Sequence, residues 1–311
     1  MPILLNCRFK RNAQLLGISY MLNISVLYRP SRFSAFFANQ RKKILRLCVK
    51  SLKNRGDYPK FWVMLSDPIC RDILTNGYYE KELLLGMQSL ANNKKGIAID
   101  VGANIGNHTI FYSRVFPRVI SFEPVPSNCW ILKANLHLNR INNVTLVEKG
   151  LGAKAEILLL GDEDRENTNN AFNAEPNILF NASPNMAKAE VARGDDEMAR
   201  LGVDSEIAMI KIDVEGFEPY VLQGFKQTIM KHNPIIFWEA FTQETAKPSV
   251  EILKSMGYKN FYHMTTNRYA NNLVNKLSNS FGKSAYLIPL DECMRLDGMN
   301  VAMMEAVDQY L

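Results

Sequence analysis

The chain predicts an α/β fold on a mostly parallel, doubly wound sheet, and three observations carry that prediction. Residues 97–110 read IAIDVGANIGNHTI: an apolar, β-branched run breaks into a turn spaced by Gly102 and Gly106, then continues into helix-compatible sequence. Two later runs, Ile207 to Ile212 and Pro234 to Trp238, are almost continuously apolar, as expected of central parallel strands buried on both faces. Strand and helix patterns alternate through the rest, which calls for a parallel sheet covered by helices.

Each element has a local reason. Asn104 holds the middle position of a Gly-x-Gly-x-Gly turn, and Asn is the non-glycine residue that best tolerates positive φ. A helix runs from Gly106 to about Val115 and stops before Pro117. The second strand, Val119 to Phe122, ends at Glu123, and Ser127 is the expected N-cap of a helix reaching Leu138. Residues 143–147 form the third strand, and Ala155 to Leu160 another short one. Residues 161–185 are rich in Asn, Asp, Glu and Pro and lack an apolar period, so they read as a surface insertion, an acceptor lid or a plain loop. After the fourth strand one helix carries Val221, Leu222, Phe225 and Ile229 on one side. A helix from Ser249 to Met256, a strand near Asn260 to His263 and a last strand at Ala285 to Leu290 would complete seven strands. Residues 61–95 read as helical.

Composition narrows the class. A chain of 311 residues, 47% hydrophobic and 22% charged, is an ordinary globular protein with a sizeable core. Its five cysteines (Cys7, Cys48, Cys70, Cys129, Cys293) are odd in number and contain no CxxC pair, which excludes a disulfide framework and a zinc site and points to a cytosol-like compartment. The four histidines show no ligand spacing. Residues 1–60 hold 13 Lys/Arg and one acid, a net of +12, while the remainder carries 24 Lys/Arg and 30 Asp/Glu, a net of −6. Within this basic arm Leu45, Cys48, Val49 and Leu52 share a helical stripe, with Lys42, Lys43, Arg46, Lys50 and Lys53 around it. Such a helix suits an anionic membrane surface, or, a little better, a helix packed against the catalytic domain with its charges in solvent. Ala13 to Tyr28 is shorter than the ~20 residues that span a bilayer, though it has some signal- and transit-peptide character. The expected organisation is a basic, mainly helical extension (1–75) and a catalytic domain (76–311), in a cytoplasmic protein; contact with an anionic membrane through the arm is one of the two readings of that extension.

The chemistry is read from the strand ends, where ligands of such sheets bind. Gly102, Asn104 and Gly106 allow backbone N–H groups to meet a nucleotide-like ligand, and Glu123, 23 residues after Asp100, is placed to accept from ribose hydroxyls. A GxGxxG fingerprint for a pyrophosphate is absent. S-adenosylmethionine, which has no phosphate and carries an ammonium that Asp100 can help hold, is favoured over NAD. Five carboxylates end strands on this rim: Asp100, Glu123, Asp213, Glu215 and Glu239. Asp213 and Glu215 are the candidate bases for a hydroxyl acceptor; the alternative is that one of them caps the following helix. Lys211 and His108 are candidate helpers, His108 otherwise being a surface residue of its helix. A metal-assisted route would place Mg²⁺ between Asp213, Glu215 and Glu239.

The blocks IDVGANIGNHTIFYSR, FEPVPSNCWILKANLHLNRINNV, IKIDVEGFEPYVLQGF and PIIFWEA, with the lead-in Asn76-Gly77-Tyr78-Tyr79-Glu80, resemble the successive blocks of the FkbM methyltransferases over about residues 76–240. The resemblance implies a Rossmann-like class I methyltransferase fold and methyl transfer to an oxygen, commonly a hydroxyl of a sugar, glycan or polyketide. Nucleic-acid base methylation fits less well: DVEG stands where amino-methylating enzymes carry D/N-P-P-Y/F, and the basic arm lacks aromatic interleaving. A degenerate domain that merely binds S-adenosylmethionine would be expected to have lost the rim acids, and they are present.

Overall fold

The computed structural model describes residues 59–62, 68–91, 95–160, 187–240, 243–266, 279–281, 285–289 and 301–305. The basic arm and the insertion expected at 161–185 lie outside the described residues. Those described belong to one compact unit beginning at Pro59. No helix among them is long and apolar enough to cross a membrane.

Helices α1 (Pro68–Asn76) and α2 (Lys81–Ala91) precede strand β1 (Ile97–Val101), and the glycine turn leads on to α3 (Asn107–Tyr112). Then follow β2 (Val119–Phe122), α4 (Pro126–Leu138), β3 (Val144–Val147), β4 (Gly150–Gly152), β5 (Glu156–Leu160), β6 (Ala187–Arg193) and α5 (Gly194–Arg200). The chain continues through β7 (Ile207–Ile212), α6 (Glu218–Gly224), α7 (Lys226–His232), β8 (Ile235–Ala240) and α8 (Gln243–Ser255). Strands β9 (Phe261–Thr266), β10 (Asn279–Phe281), β11 (Ala285–Pro289) and β12 (Val301–Glu305) come last.

The main sheet has the order β10-β11-β9-β12-β8-β7-β1-β2-β3. Neighbours from β8 to β3 pair in parallel, and those from β8 outward to β10 pair antiparallel. The parallel, helix-covered half expected from the sequence is therefore present, but the sheet has nine strands rather than seven. The excess lies in the C-terminal part. Strand β11, expected to finish the sheet, pairs outside β9, while β12 inserts between β8 and β9. A second sheet, β4-β6-β5, was not expected either.

Alternation along the strands divides the core. Ile97, Ile99 and Val101 of β1 join Val221, Leu222, Phe225 and Ile229 in one buried cluster, while Ala98 joins Leu84, Met87, Ile110 and Tyr112 in another. The four apolar residues placed on one helix face are buried as expected, but on two helices, because Phe225 takes a non-helical conformation between α6 and α7. Asp195 explains the break: its carboxylate accepts from the Gln227 and Thr228 backbone N–H groups and the Thr228 hydroxyl, capping a fresh helix start. Helix α4 departs similarly. Its N-cap is Val125 rather than Ser127, with Pro126 in the first turn, where a missing N–H costs nothing.

Candidate functional site

Strand register assembles the site. Asp100 pairs laterally with Ser121 of β2 and Lys211 of β7, and Val101, next along, pairs with Phe122 and Ile212. Ile212 pairs in turn with Trp238. One residue beyond these pairs stand Glu123, Gly102, Asp213 and Glu239, at the carboxyl ends of four adjacent parallel strands. Side chains two apart on a strand share a face, so Asp100 and Lys211 lie just beneath this row. The apolar neighbours on that face, Ala98, Met209 and Phe237, belong to the cluster under α2 and α3.

The glycine turn crosses this row. Gly102 is left-handed (φ +77°), and a Cβ there would lie 1.8 Å from the Asp213 carbonyl oxygen, so only glycine lets the turn pass the end of β7. Asn104 does adopt positive φ, as its residue type predicts (φ 51°). Its backbone N–H donates to Glu123 Oε2 at 2.7 Å, while Glu123 Oε1 accepts from the Val125 N–H at 3.0 Å and from Asn128 Nδ2 at 3.4 Å. Glu123 thus ties the turn to β2. Burial pushes its carboxyl up to about 7 even against these hydrogen bonds.

Asp100 lies beneath the turn. It is fully buried, with Oδ2 accepting from the Thr109 hydroxyl at 2.6 Å and Oδ1 facing Lys211 Nζ at 3.4 Å. Through Lys211 it also supports the underside of the turn. Lys211 Nζ also lies 3.1 Å from Asp213 Oδ2 and donates to the Gly102 carbonyl at 3.1 Å.

Asp213, Glu215 and Glu239 converge, with one carboxylate oxygen from each within 4.8 Å of the others. Burial pushes the Asp213 carboxyl up, but the Lys211 ammonium and a hydrogen bond from Glu239 outweigh it and hold the group below the usual range. Glu239 goes the other way, up to about 10, through burial and the adjacent Asp213 charge. Glu239 therefore keeps a proton and donates it toward an ionised Asp213. Burial and Asp213 raise Glu215 as well. Glu215 itself sits at positive φ (54°), a sparsely populated conformation for a side-chain-bearing residue.

Neither Asp213 nor Glu215 caps the next helix: the N-cap of α6 is Phe217, without a side-chain hydrogen bond. The turn is held by Glu218, whose Oε1 accepts from the Val214 N–H at 3.0 Å and the Gly216 N–H at 3.2 Å. His108, expected at the surface of α3, is buried, and burial together with the Lys211 charge lowers it to about 4, leaving it neutral.

A family model described as Methyltransferase FkbM domain matches residues 100–264, the span that carries this whole row of strand ends. The chain belongs to the FkbM methyltransferase family. Methyltransferase 1 of Beauveria bassiana is 26% identical over 141 residues, 40% of this chain and 57% of that protein. Methyltransferase sdnD of Sordaria araneosa is 26% identical over 182 residues, 50% of this chain and 70% of its own. The chain thus spans little more than half of the first relative and about two thirds of the second. The crystal structure of Methyltransferase FkbM from Methylobacillus flagellatus KT aligns at a TM-score of 0.41 and 17% identity, over 68% of this chain and 44% of that one.

Two residues close to the site, outside the matched span, have no strand-end position to reveal them. Tyr79 and Glu80 belong to the turn between α1 and α2, and the Tyr79 backbone exchanges two hydrogen bonds with the Asn107 side chain at the start of α3 (2.9 and 3.0 Å). Glu80 has positive φ (52°), and burial with the Asp213 charge raises its carboxyl to about 7. The only signal for it in the sequence was the Asn76–Glu80 lead-in.

Proposed function

We propose that the chain is an S-adenosylmethionine-dependent O-methyltransferase acting on a hydroxyl of a sugar, glycan or polyketide-type molecule. The observation that carries this reading is the single row Glu123, Gly102, Asp213 and Glu239, which sets a ribose-type acceptor, a close-approach turn and an acid pair side by side. The donor set suits the cofactor. Glu123 has three hydrogen bonds, and a carboxylate can accept about four. The surrounding carboxylates match a ligand that carries a sulfonium and an ammonium. When bound, S-adenosylmethionine supplies a methyl group on positively charged sulfur, open to displacement by an oxygen lone pair.

The chain's own task is to hold the acceptor and take its proton. A neutral hydroxyl becomes strongly acidic only as its oxygen gains a third substituent, the methyl group, so a positioned, ionised carboxylate suffices even when its own basicity is low. Asp213 is that group: Lys211 keeps it ionised, and its side chain remains 36% exposed, open to a ligand. The proton passes from the acceptor oxygen to Asp213. Glu215, on the same turn, faces the acceptor side.

A second reading rests on the convergence of Asp213, Glu215 and Glu239, a hard-oxygen set suited to a divalent cation such as Mg²⁺ that would acidify a bound hydroxyl. One experiment addresses both. Tritiated methyl transfer from S-adenosylmethionine is followed into lipid, polysaccharide and small-molecule fractions, with wild type and Asp213→Asn, with and without EDTA. The base reading expects a loss of roughly 10²–10⁴-fold in Asp213→Asn and no effect of EDTA. Loss on chelation with recovery on added Mg²⁺ supports the metal. Full activity of Asp213→Asn removes the base assignment.

A further inference from the structure

We propose that Lys211 is a positioning residue that fixes the glycine turn and Asp213 relative to each other, so that one buried ammonium sets the geometry between cofactor loop and acceptor base. This rests on the methyltransferase reading. Lys211 points from β7, which lies between β8 and β1 in the parallel half, into the layer beneath the site, and it is 5% exposed. Its Nζ meets oxygens at three places: the Gly102 carbonyl of the turn (3.1 Å), Asp100 on β1 (3.4 Å) and Asp213 at the end of its own strand (3.1 Å). An ammonium offers three donors, and three acceptors face it.

The directions of these contacts matter more than their number. The turn is fastened above by Glu123, through the Asn104 N–H, and behind by the Gly102 and Ala103 N–H groups, which both donate to the Phe122 carbonyl at 3.0 Å. All three fastenings hold the turn to β2. Among the described residues, Lys211 is the side chain that fastens the turn to β7, the strand that presents Asp213. Asp100 contributes by anchoring the ammonium from below, itself fixed by Thr109, whose hydroxyl also lies 2.8 Å from the Ser121 hydroxyl. Removing the ammonium leaves the Asp213 N–H to Val101 carbonyl bond (3.1 Å) between the two strand ends but lets the turn and the Asp213 side chain move relative to each other.

Lys211→Met alone would leave Asp100 buried beside no cation, so the test uses Asp100→Asn as background and compares it with Asp100→Asn/Lys211→Met. Binding of S-adenosylhomocysteine by calorimetry is expected to weaken roughly tenfold on losing one charge-assisted contact to the turn. In methyl transfer, cofactor KM rises and kcat falls together. Hydrogen exchange of the Gly102 and Ala103 amides, which needs neither cofactor nor acceptor, is expected to quicken roughly tenfold. A merely structural lysine behaves differently: melting shifts, while affinity, KM and turn exchange stay at background values, and that outcome overturns the proposal. Failure of the wild-type protein to bind S-adenosylhomocysteine would defeat the functional reading instead, and the exchange rates would still decide the role of Lys211.

Discussion

Replacing Gly106 with alanine tests how the turn is built, because two separable costs meet there. Gly106 is left-handed at φ +93°, and a Cβ on it would lie 2.2 Å from Leu132 Cδ1 of α4. The backbone term for an L-residue in this region is roughly 1–2 kcal/mol, and overpacking a filled site adds roughly 1–3 kcal/mol. Gly216 supplies the comparison within the same molecule. It has nearly the same conformation, φ +96°, but nothing lies within 4 Å of its would-be Cβ. Gly216→Ala should therefore cost the backbone term alone, about 1 kcal/mol, and Gly106→Ala about 3 kcal/mol. Urea unfolding of both variants measures the difference. Leu132→Ala isolates its source: in that background the clash is gone, and Gly106→Ala should fall back to about 1 kcal/mol. Equal costs for the two glycines, or a Gly106→Ala cost unchanged by Leu132→Ala, would refute the contact as the reason for glycine.

Three further outcomes are expected. Glu123 has its folded carboxyl raised to about 7, so the folded state holds a proton that the unfolded chain has released; its contribution is present below the ordinary carboxyl value and lost as pH rises through about 7. Unfolding of wild type and Glu123→Gln across pH 4 to 8 should show the wild type losing relative stability on the order of 3 kcal/mol, and parallel curves would contradict this. Glu218→Ala leaves the Val214 and Gly216 N–H groups without their acceptor, destabilising the protein by roughly 1–3 kcal/mol. Turnover of the folded enzyme should also fall with little change in S-adenosylhomocysteine affinity, and unchanged turnover would show that the turn carrying Asp213 and Glu215 holds without it. Asp213→Asn should bind S-adenosylhomocysteine within about threefold of wild type, since the proton acceptor is not a cofactor ligand; a tenfold loss by calorimetry would move it to the cofactor side.

The parts of the site legible in the sequence were those fixed by their own strand. Runs such as Ile207 to Ile212 declare buried parallel strands, and the acids that end them fall at the rim because the apolar run stops there. What a carboxylate does at the rim depends on partners far along the chain. That Asp100 sits beside Lys211 and above Thr109 is set by register and is not visible in its own strand. His108 reads as a surface residue because a helix of six residues is too short to show a periodic face. Glu218 was hidden for a related reason: acids are common at helix starts, and only the backbone path of Val214 to Gly216 turns this one into a clamp. The C-terminal strands carried little signal. Strand β12 reads Val-Ala-Met-Met-Glu, without the alternation or branched side chains that mark a strand.

That last strand has a consequence for how the chain is completed. Residues 301–305 fill the position between β8 and β9 and pair with both. Among the described residues, the strands that precede β12 in sequence, β9 to β11, are thus hydrogen-bonded to the parallel half of the sheet through a segment that follows them. During synthesis the glycine turn, the acid row and the five parallel strands can assemble as soon as β8 has emerged, but β8 then presents a bare edge, and such an edge is prone to pair with other chains. Its protection waits on β12. A chain ending before residue 301 would hold every residue assigned to the site yet leave that edge open, so shortened forms should be lost to aggregation before they are lost to chemistry.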